Sequence, residues 1–257
     1  MNPLTLGFVA SLLAGLGTGG GALPVLLPIN PTERLQGILL GIGGGIMLAA
    51  TSFSLILPGT EAAVEAGNSP AVAALIMVAG VLLGGGFLWV AHNTFPHEHF
   101  FKGKEGPSAA NLKRIWLFVI AITLHNFPEG LAVGVGFGGG EQAGALALAA
   151  GIGIQNLPEG LVVAIALRDI SYTPLYALGI STLTGLVEPI GGFIGAGVVS
   201  IAQPLLPWGM GFAAGAMLFV IVDDIIPEID QKAFGQRGTL GVMAGFVIMM
   251  FLDIALG

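Results

Sequence analysis

Eight apolar runs, each long enough to cross a bilayer, follow one another along the chain at 4–28, 35–58, 71–92, 113–137, 143–167, 174–200, 207–228 and 237–256. A spanning helix needs roughly 20 such residues. In hydrocarbon every backbone donor and acceptor must be satisfied internally, so runs of this kind fold as helices. Charge is scarce enough to agree: 9% of residues are charged and 54% are hydrophobic, whereas a soluble domain carries about 25% charged residues. The expected fold class is therefore all-α integral membrane, a single transmembrane domain over 1–257 with eight transmembrane helices and the lipid bilayer as solvent. The first run lacks a basic flank and a small-residue cleavage site and reads as a retained span. The net charge of −7 says little about partners, and no nucleic acid is expected. Without cysteine, disulfides and thiolate metal sites are excluded.

The basic residues set the orientation. Arg34 follows the first run; Lys102, Lys104, Lys113 and Arg114 lie between the third and fourth; Arg168 follows the fifth; Lys232 and Arg237 lie between the seventh and eighth. The intervening loops carry Glu61, Glu65 and Glu141 but no Lys or Arg. Positive residues stay on the cytoplasmic side, so both termini are expected outside, in the cell (inner) membrane. The longest break, 93–112, is then a polar cytoplasmic loop containing His97, Glu98 and His99. Small-xxx-small spacings recur, as in Gly37, Gly41, Gly45; Gly130, Gly134, Gly138; and Gly241, Gly245. In lipid they read as close helix packing.

Two internal echoes stand out. His125-Asn126-Phe127-Pro128-Glu129-Gly130 is answered by Gln155-Asn156-Leu157-Pro158-Glu159-Gly160, in a span running the opposite way. Met47-Leu48 upstream of Pro58 is echoed by Met217-Leu218 upstream of Pro227, again in opposed spans. Inverted repeats of this sort place a substrate site near the bilayer midplane.

That is also where the charges lie. At 1.5 Å per residue, Glu129 is about 22 Å beyond Arg114, Glu159 about 13 Å before Arg168, and Glu188 about 21 Å beyond Pro174. A charge at bilayer centre costs at least about 2.5–3.5 kcal/mol on insertion scales, so each needs a reason. His125 with Glu129, and Gln155 with Glu159, are spaced i, i+4 and share a helix face. Pro128 and Pro158 deprive the carbonyls of Leu124 and Ile154 of helical partners, and Pro189 follows Glu188 directly. The expected picture is a polar cavity walled by broken helices. Three carboxylates at close quarters repel, and a divalent cation relieves them. Imidazole with carboxylates suits zinc, iron or manganese better than calcium. For Asn126 and Asn156, ligation and interhelical bridging both remain open.

The paired Pro-Glu-Gly motifs, followed by Glu188-Pro189, resemble the ZIP family of zinc- and iron-regulated transporter-like proteins, in the prokaryotic branch that includes the GufA-like proteins. The resemblance covers essentially the whole chain. It implies an inverted 3+2+3 helix arrangement, with spans 1–3 and 6–8 around a central pair. It implies inward transport of a divalent transition metal, zinc first, with cadmium, iron and manganese as further substrates, no organic cofactor and a homodimer. One metal position would use Met47, His125, Glu129, Gln155, Glu159 and Glu188. A second would use Asn126, Glu129, Asn156, Glu159 and Glu188, the glutamates bridging. This chain departs from many relatives in having Gln155 and Asn156 where they carry His or Asp, and neutral amides are weaker ligands. A cytoplasmic exit site is expected from His92, His97, His99, Asp223, Asp224, Glu228 and Asp253, and an entrance from Ser52, Ser54 and Glu61.

Two other function classes would leave different marks in the sequence. An intramembrane metalloenzyme would carry His-Glu-x-x-His on one helix; here Asn-Phe-Pro separates His125 from Glu129 and no second histidine follows. A metal-sensing receptor would bind without saturable flux. No Gly-x-x-x-x-Gly-Lys-Ser/Thr loop signals ATP coupling.

Overall fold

The computed structural model describes residues 1–27, 32–94, 97–99, 103–105, 114–140, 142–169, 171–231 and 235–256. Helices account for nearly all of them: α1 (Pro3–Ala22), α2 (Glu33–Ala49), α3 (Leu57–Glu65), α4 (Pro70–Thr94), α5 (Arg114–Gly139), α6 (Gln142–Asp169), α7 (Pro174–Gly185), α8 (Glu188–Ile201), α9 (Leu206–Val220), α10 (Ile226–Gln231) and α11 (Gly235–Leu256). Starts are set by local chemistry. Asn2, Thr32 and Thr173 accept hydrogen bonds from the backbone N–H three residues on, satisfying donors that a helix start leaves open.

Among the described residues, seven helical stretches are long and apolar enough to cross a membrane: Pro3–Leu26, Arg34–Glu65, Pro70–Thr94, Gln142–Arg168, Pro174–Ile201, Gln203–Ile225 and Gln236–Ala255. They account for seven of the eight expected runs. The remaining run, 113–137, corresponds to α5, 26 residues long and outside that set of seven. The outward faces are those of a membrane protein: Leu75, Leu82 and Trp89 on α4, and Leu240, Phe251 and Ile254 on α11, are all at least 60% exposed. The segment expected to be a loop, 93–112, contains a short antiparallel pair, β1 (His97–His99) and β2 (Gly103–Glu105), with Glu98 opposite Lys104.

The helices pack in two sets. In the first, α5 lies along α8, and α1 runs against α5, α6, α7 and α8. In the second, α2 lies along α11 and α4 along α9. Contacts of α6 with α2 and α11, and of α5 with α9, join them. The glycine spacings make the closest approaches. A methyl group at Gly41 would stand 2.6 Å from the Gly238 carbonyl oxygen, and one at Gly241 the same distance from that of Ile38. Where α5 meets α8, a methyl group at Gly130 would overlap the carbonyl of Glu188 itself. The small residues thus bring two backbones together at the depth where the carboxylates sit.

The prolines act unequally. The chain leaves helical geometry between α7 and α8, so Glu188 opens a new helix with Pro189 next to it. At Pro128 and Pro158, by contrast, α5 and α6 run on as continuous helices, so the broken-helix expectation holds for one span of the three. Neighbouring helices support a proline-containing helix in a packed bundle. Pro58 and Pro227 have another effect: each is preceded by a π-helical stretch, Ala50–Ile56 after α2 and Ile221–Ile225 after α9. In both, the residue directly before the proline donates its N–H five residues back, Leu57 to Ser52 and Ile226 to Ile221. The echo between these two spans therefore extends to the backbone.

Candidate metal centre

Three helices converge on one buried polar cluster. From α5 comes Glu129, from α6 Gln155, Asn156 and Glu159, and from the first turn of α8 Glu188; none is more than 5% exposed, and Asn126 of α5 is buried as well. The position of Glu188 has a local cause. A helix start presents unpaired N–H groups and the positive end of its dipole, which favours a carboxylate there.

The two amides organise the acids. Gln155 Nε2 donates to Glu129 Oε1 in a very short contact and to Glu159 Oε1 at 3.4 Å. Asn156 Nδ2 donates to Glu188 Oε1 at 2.6 Å and to the Ala14 carbonyl at 2.8 Å. With the amide donors committed, Gln155 Oε1, Asn156 Oδ1 and the Oε2 atoms of Glu129, Glu159 and Glu188 are buried with no hydrogen-bond partner, as are both amide atoms of Asn126. Each buried polar group left in that state costs about 1–3 kcal/mol. Five orphaned acceptor oxygens, on three acids and two amides, are of the type that ligates divalent cations, although among the described residues the one group of three His, Asp or Glu whose donor atoms lie within 4.8 Å of one another is His92, His125 and Asp224.

His125 faces a different group. Its Nε2 lies 2.7 Å from Asp224 Oδ2. His92 Nδ1 is 3.5 Å from Asp223 Oδ2 and its Nε2 is 4.0 Å from Asp224 Oδ2. The two imidazoles stack, with ring centroids 5.8 Å apart, and Phe219 meets the His92 ring edge-on. Donor atoms of His92, His125 and Asp224 all lie within 4.8 Å of one another, and all three residues are buried. The sequence expectation put His125 with the glutamates; the structure sets it one turn along α5 from Glu129 and against the second cluster.

The other expected ligands fall as follows. Met47 is buried on α2, on the helix face of Gly43, whose Cβ position is 3.8 Å from Gln155 Cγ. Ser52 donates to its own helix, at Leu48 O, and Glu61 is exposed on α3. Asp253 requires a correction. Expected at the cytoplasmic end with His92 and Asp224, it instead accepts a 2.6 Å hydrogen bond from Ser54, which was assigned to the opposite end. The reason is length: Asp253 is 16 residues beyond Arg237, about 24 Å along α11, and so lies at the far end of that helix. The side chains of His97, His99 and Glu228 lie outside the described residues.

One contribution was missed. α1 forms a wall of the site: Ala14 holds Asn156 through its carbonyl, and a methyl group at Gly15 would lie 3.3 Å from Glu188 Oε1. The signal was present in the run of small residues from Ala14 to Gly21.

Comparison with known proteins adds an independent line. Residues 96–253 match the family described as ZIP zinc transporter. The chain is 48% identical over 251 residues to zinc transporter GufA of Myxococcus xanthus, covering 98% of this chain and 99% of that one. Against zinc transporter ZIPB of Bordetella bronchiseptica it is 44% identical, covering 98% and 79%. Against human zinc transporter ZIP11 it is 33% identical, covering 93% and 94%.

Proposed function

The chain belongs to the ZIP zinc transporter family, and from that premise we propose that it carries zinc across the membrane and into the cytoplasm through the cluster on α5, α6 and α8. The observation that carries this reading is the set of orphaned acceptors on Glu129, Gln155, Asn156, Glu159 and Glu188. Electrostatics explain why such a site takes a dication. Unit charges 4 Å apart interact by about 4 kcal/mol at an effective dielectric of 20, so three buried carboxylates repel strongly until a cation sits between them. The glutamates bridge two positions, and the amide oxygens complete them as weak ligands that let the ion go. Cadmium, iron(II) and manganese are accepted by the same donors. The protein has eight spans in the inverted 3+2+3 arrangement, α5 being the fourth, and both termini face outward. It acts as a homodimer in the inner membrane.

The path follows from the two clusters. An ion entering past Glu61, Ser54 and Asp253 reaches the glutamates with Met47 at the side. It leaves through His125, which shares a helix face with Glu129 and touches Asp224, and then through His92, Asp223 and the histidine-containing segment. The test is flux into proteoliposomes with zinc, cadmium, manganese and iron(II), with and without a pH gradient. Saturable zinc entry is the expected result. Zinc binding without flux would make the chain a receptor, and hydrolysis without flux an enzyme.

A further inference from the structure

A furrow of about 390 Å³ opens on the flank of the molecule between α4 and α5. Its walls are Phe87, Leu88, Val90 and Ala91 from α4, and Leu124 and Phe127 from α5. Val187, at the break between α7 and α8, completes the lining with two threonines, Thr94 and Thr123. Neither threonine offers a free hydroxyl, because Thr94 donates to Val90 O and Thr123 to Val119 O, each at 2.7 Å. The furrow is thus apolar throughout. It is continuous with the outward face of α4, where Leu82, Leu83 and Trp89 are 59–69% exposed. From Phe87 to Thr94 it runs about 10 Å along the helix.

Its place in the packing gives it meaning. α4 packs on α9 and α5 packs on α8, so the furrow follows the seam between the two sets of helices. Ala91 and Leu124 are the immediate chain neighbours of His92 and His125, whose stacked rings lie just inside the seam. The furrow therefore borders, through Ala91 and Leu124, the two helix positions that carry the histidines of the histidine–aspartate cluster.

We infer that the furrow is a binding site for one acyl chain of a bilayer phospholipid, which closes the α4–α5 seam beside His92 and His125. A hydrocarbon chain is the ligand the lining calls for: it needs no hydrogen bond, and its removal would leave apolar walls without dispersion partners. The exposed flank of α4 already belongs to the lipid-facing surface, so a chain can enter sideways. On the orientation proposed above, it descends from the inner leaflet.

The measurement is native mass spectrometry of the full chain, stripped stepwise of lipid in detergent and then given back dioleoyl phosphatidylglycerol, with no metal present. One tightly retained phospholipid per chain is expected. Ala91→Phe and Thr123→Phe, made singly, fill the furrow and should each lose it. Leu75→Ala, on the same helix but outside the furrow, should keep it. Thermal melting identifies any filled variant that has not folded, and the other then decides. Absence of a retained lipid on the unaltered chain, or equal retention in a folded, filled variant, overturns the inference. So does a dimer that retains no lipid and exposes the furrow only on dissociation, which would assign it to a second copy. Because no metal is used, failure here is distinct from failure of the transport reading.

Discussion

Asp224 Oδ2 sits 2.7 Å from His125 Nε2, and this contact spans the two sets of helices, from the π turn after α9 to the middle of α5. His125 is also one helical turn from Glu129, the acid held by Gln155. A single imidazole therefore stands between a buried carboxylate cluster and a buried histidine–aspartate cluster.

Asp224→Asn keeps the shape of that contact and removes its charge. Hydrogen bonds to charged groups contribute about 1.5–3 kcal/mol, and each 1.4 kcal/mol is tenfold. Zinc flux should fall by about 10- to 100-fold while zinc binding at the glutamates is retained. Calorimetric titration beside liposome uptake checks this, and parallel loss of both would place Asp224 in the central site.

Glu129→Ala or Glu159→Ala should abolish zinc flux in a protein that still inserts and folds. Either change removes one of the cluster's three buried glutamate carboxylates, and deleting a charge from membrane depth lowers the insertion cost. Zinc at about 100 times its Kd should stabilise the unaltered chain by about 2.7 kcal/mol and these variants far less. Melting curves with and without zinc supply the readout; normal flux and normal zinc stabilisation in both variants would sink the central-site reading.

Gly130→Ala tests the backbone contact beneath Glu188. The added methyl group would overlap the Glu188 carbonyl, and overpacking of this kind costs about 1–3 kcal/mol. Thermal stability should drop and flux with it, because the α8 start carries the buried Glu188. Gly86→Ala, with nothing within 4 Å of the new methyl group, should be neutral or slightly stabilising, since Ala is favoured over Gly in a helix by about 1 kcal/mol.

Orientation can be read chemically, since the chain has no cysteine of its own. A cysteine placed at Gly67 or Gly140 should react with an impermeant maleimide on intact cells, and one at Gly103 should not. Labelling at Gly103 from outside would invert the topology.

The sequence pattern and the fold meet most closely where a rule has one outcome. Apolar length gave seven of the eight expected spans, and Glu188-Pro189 marked a real interruption, because a helix can begin with Glu and Pro but rarely contains them without support. Pro128 and Pro158 follow the same rule in isolation, yet α5 and α6 continue through them; tertiary packing decided, which no local signal reports. The spacing of His125 and Glu129 placed both on one face, but a face one turn long borders two clusters, and the choice of Asp224 depends on how α9 lies against α5. Asn156 could bridge or ligate, and its amide does hold Glu188 to α1 while leaving Oδ1 unpaired. Asp253 was misplaced by residue type, where counting from Arg237 would have carried it to the other end.

The π stretches before Pro58 and Pro227 have a mechanical consequence. A π turn holds one residue more than the α turn it replaces, so each of these spans carries slack. If that extra residue passed along the helix, the side chains it crossed would swing by about 100° and advance by about 1.5 Å, with the helix ends staying where they are. Asp223 and Asp224 both lie inside such a stretch, and Ser54 lies inside the other. Two opposed spans thus hold the means to turn an acid or a hydroxyl toward or away from a passing ion by a local ratchet rather than by displacing a whole rod.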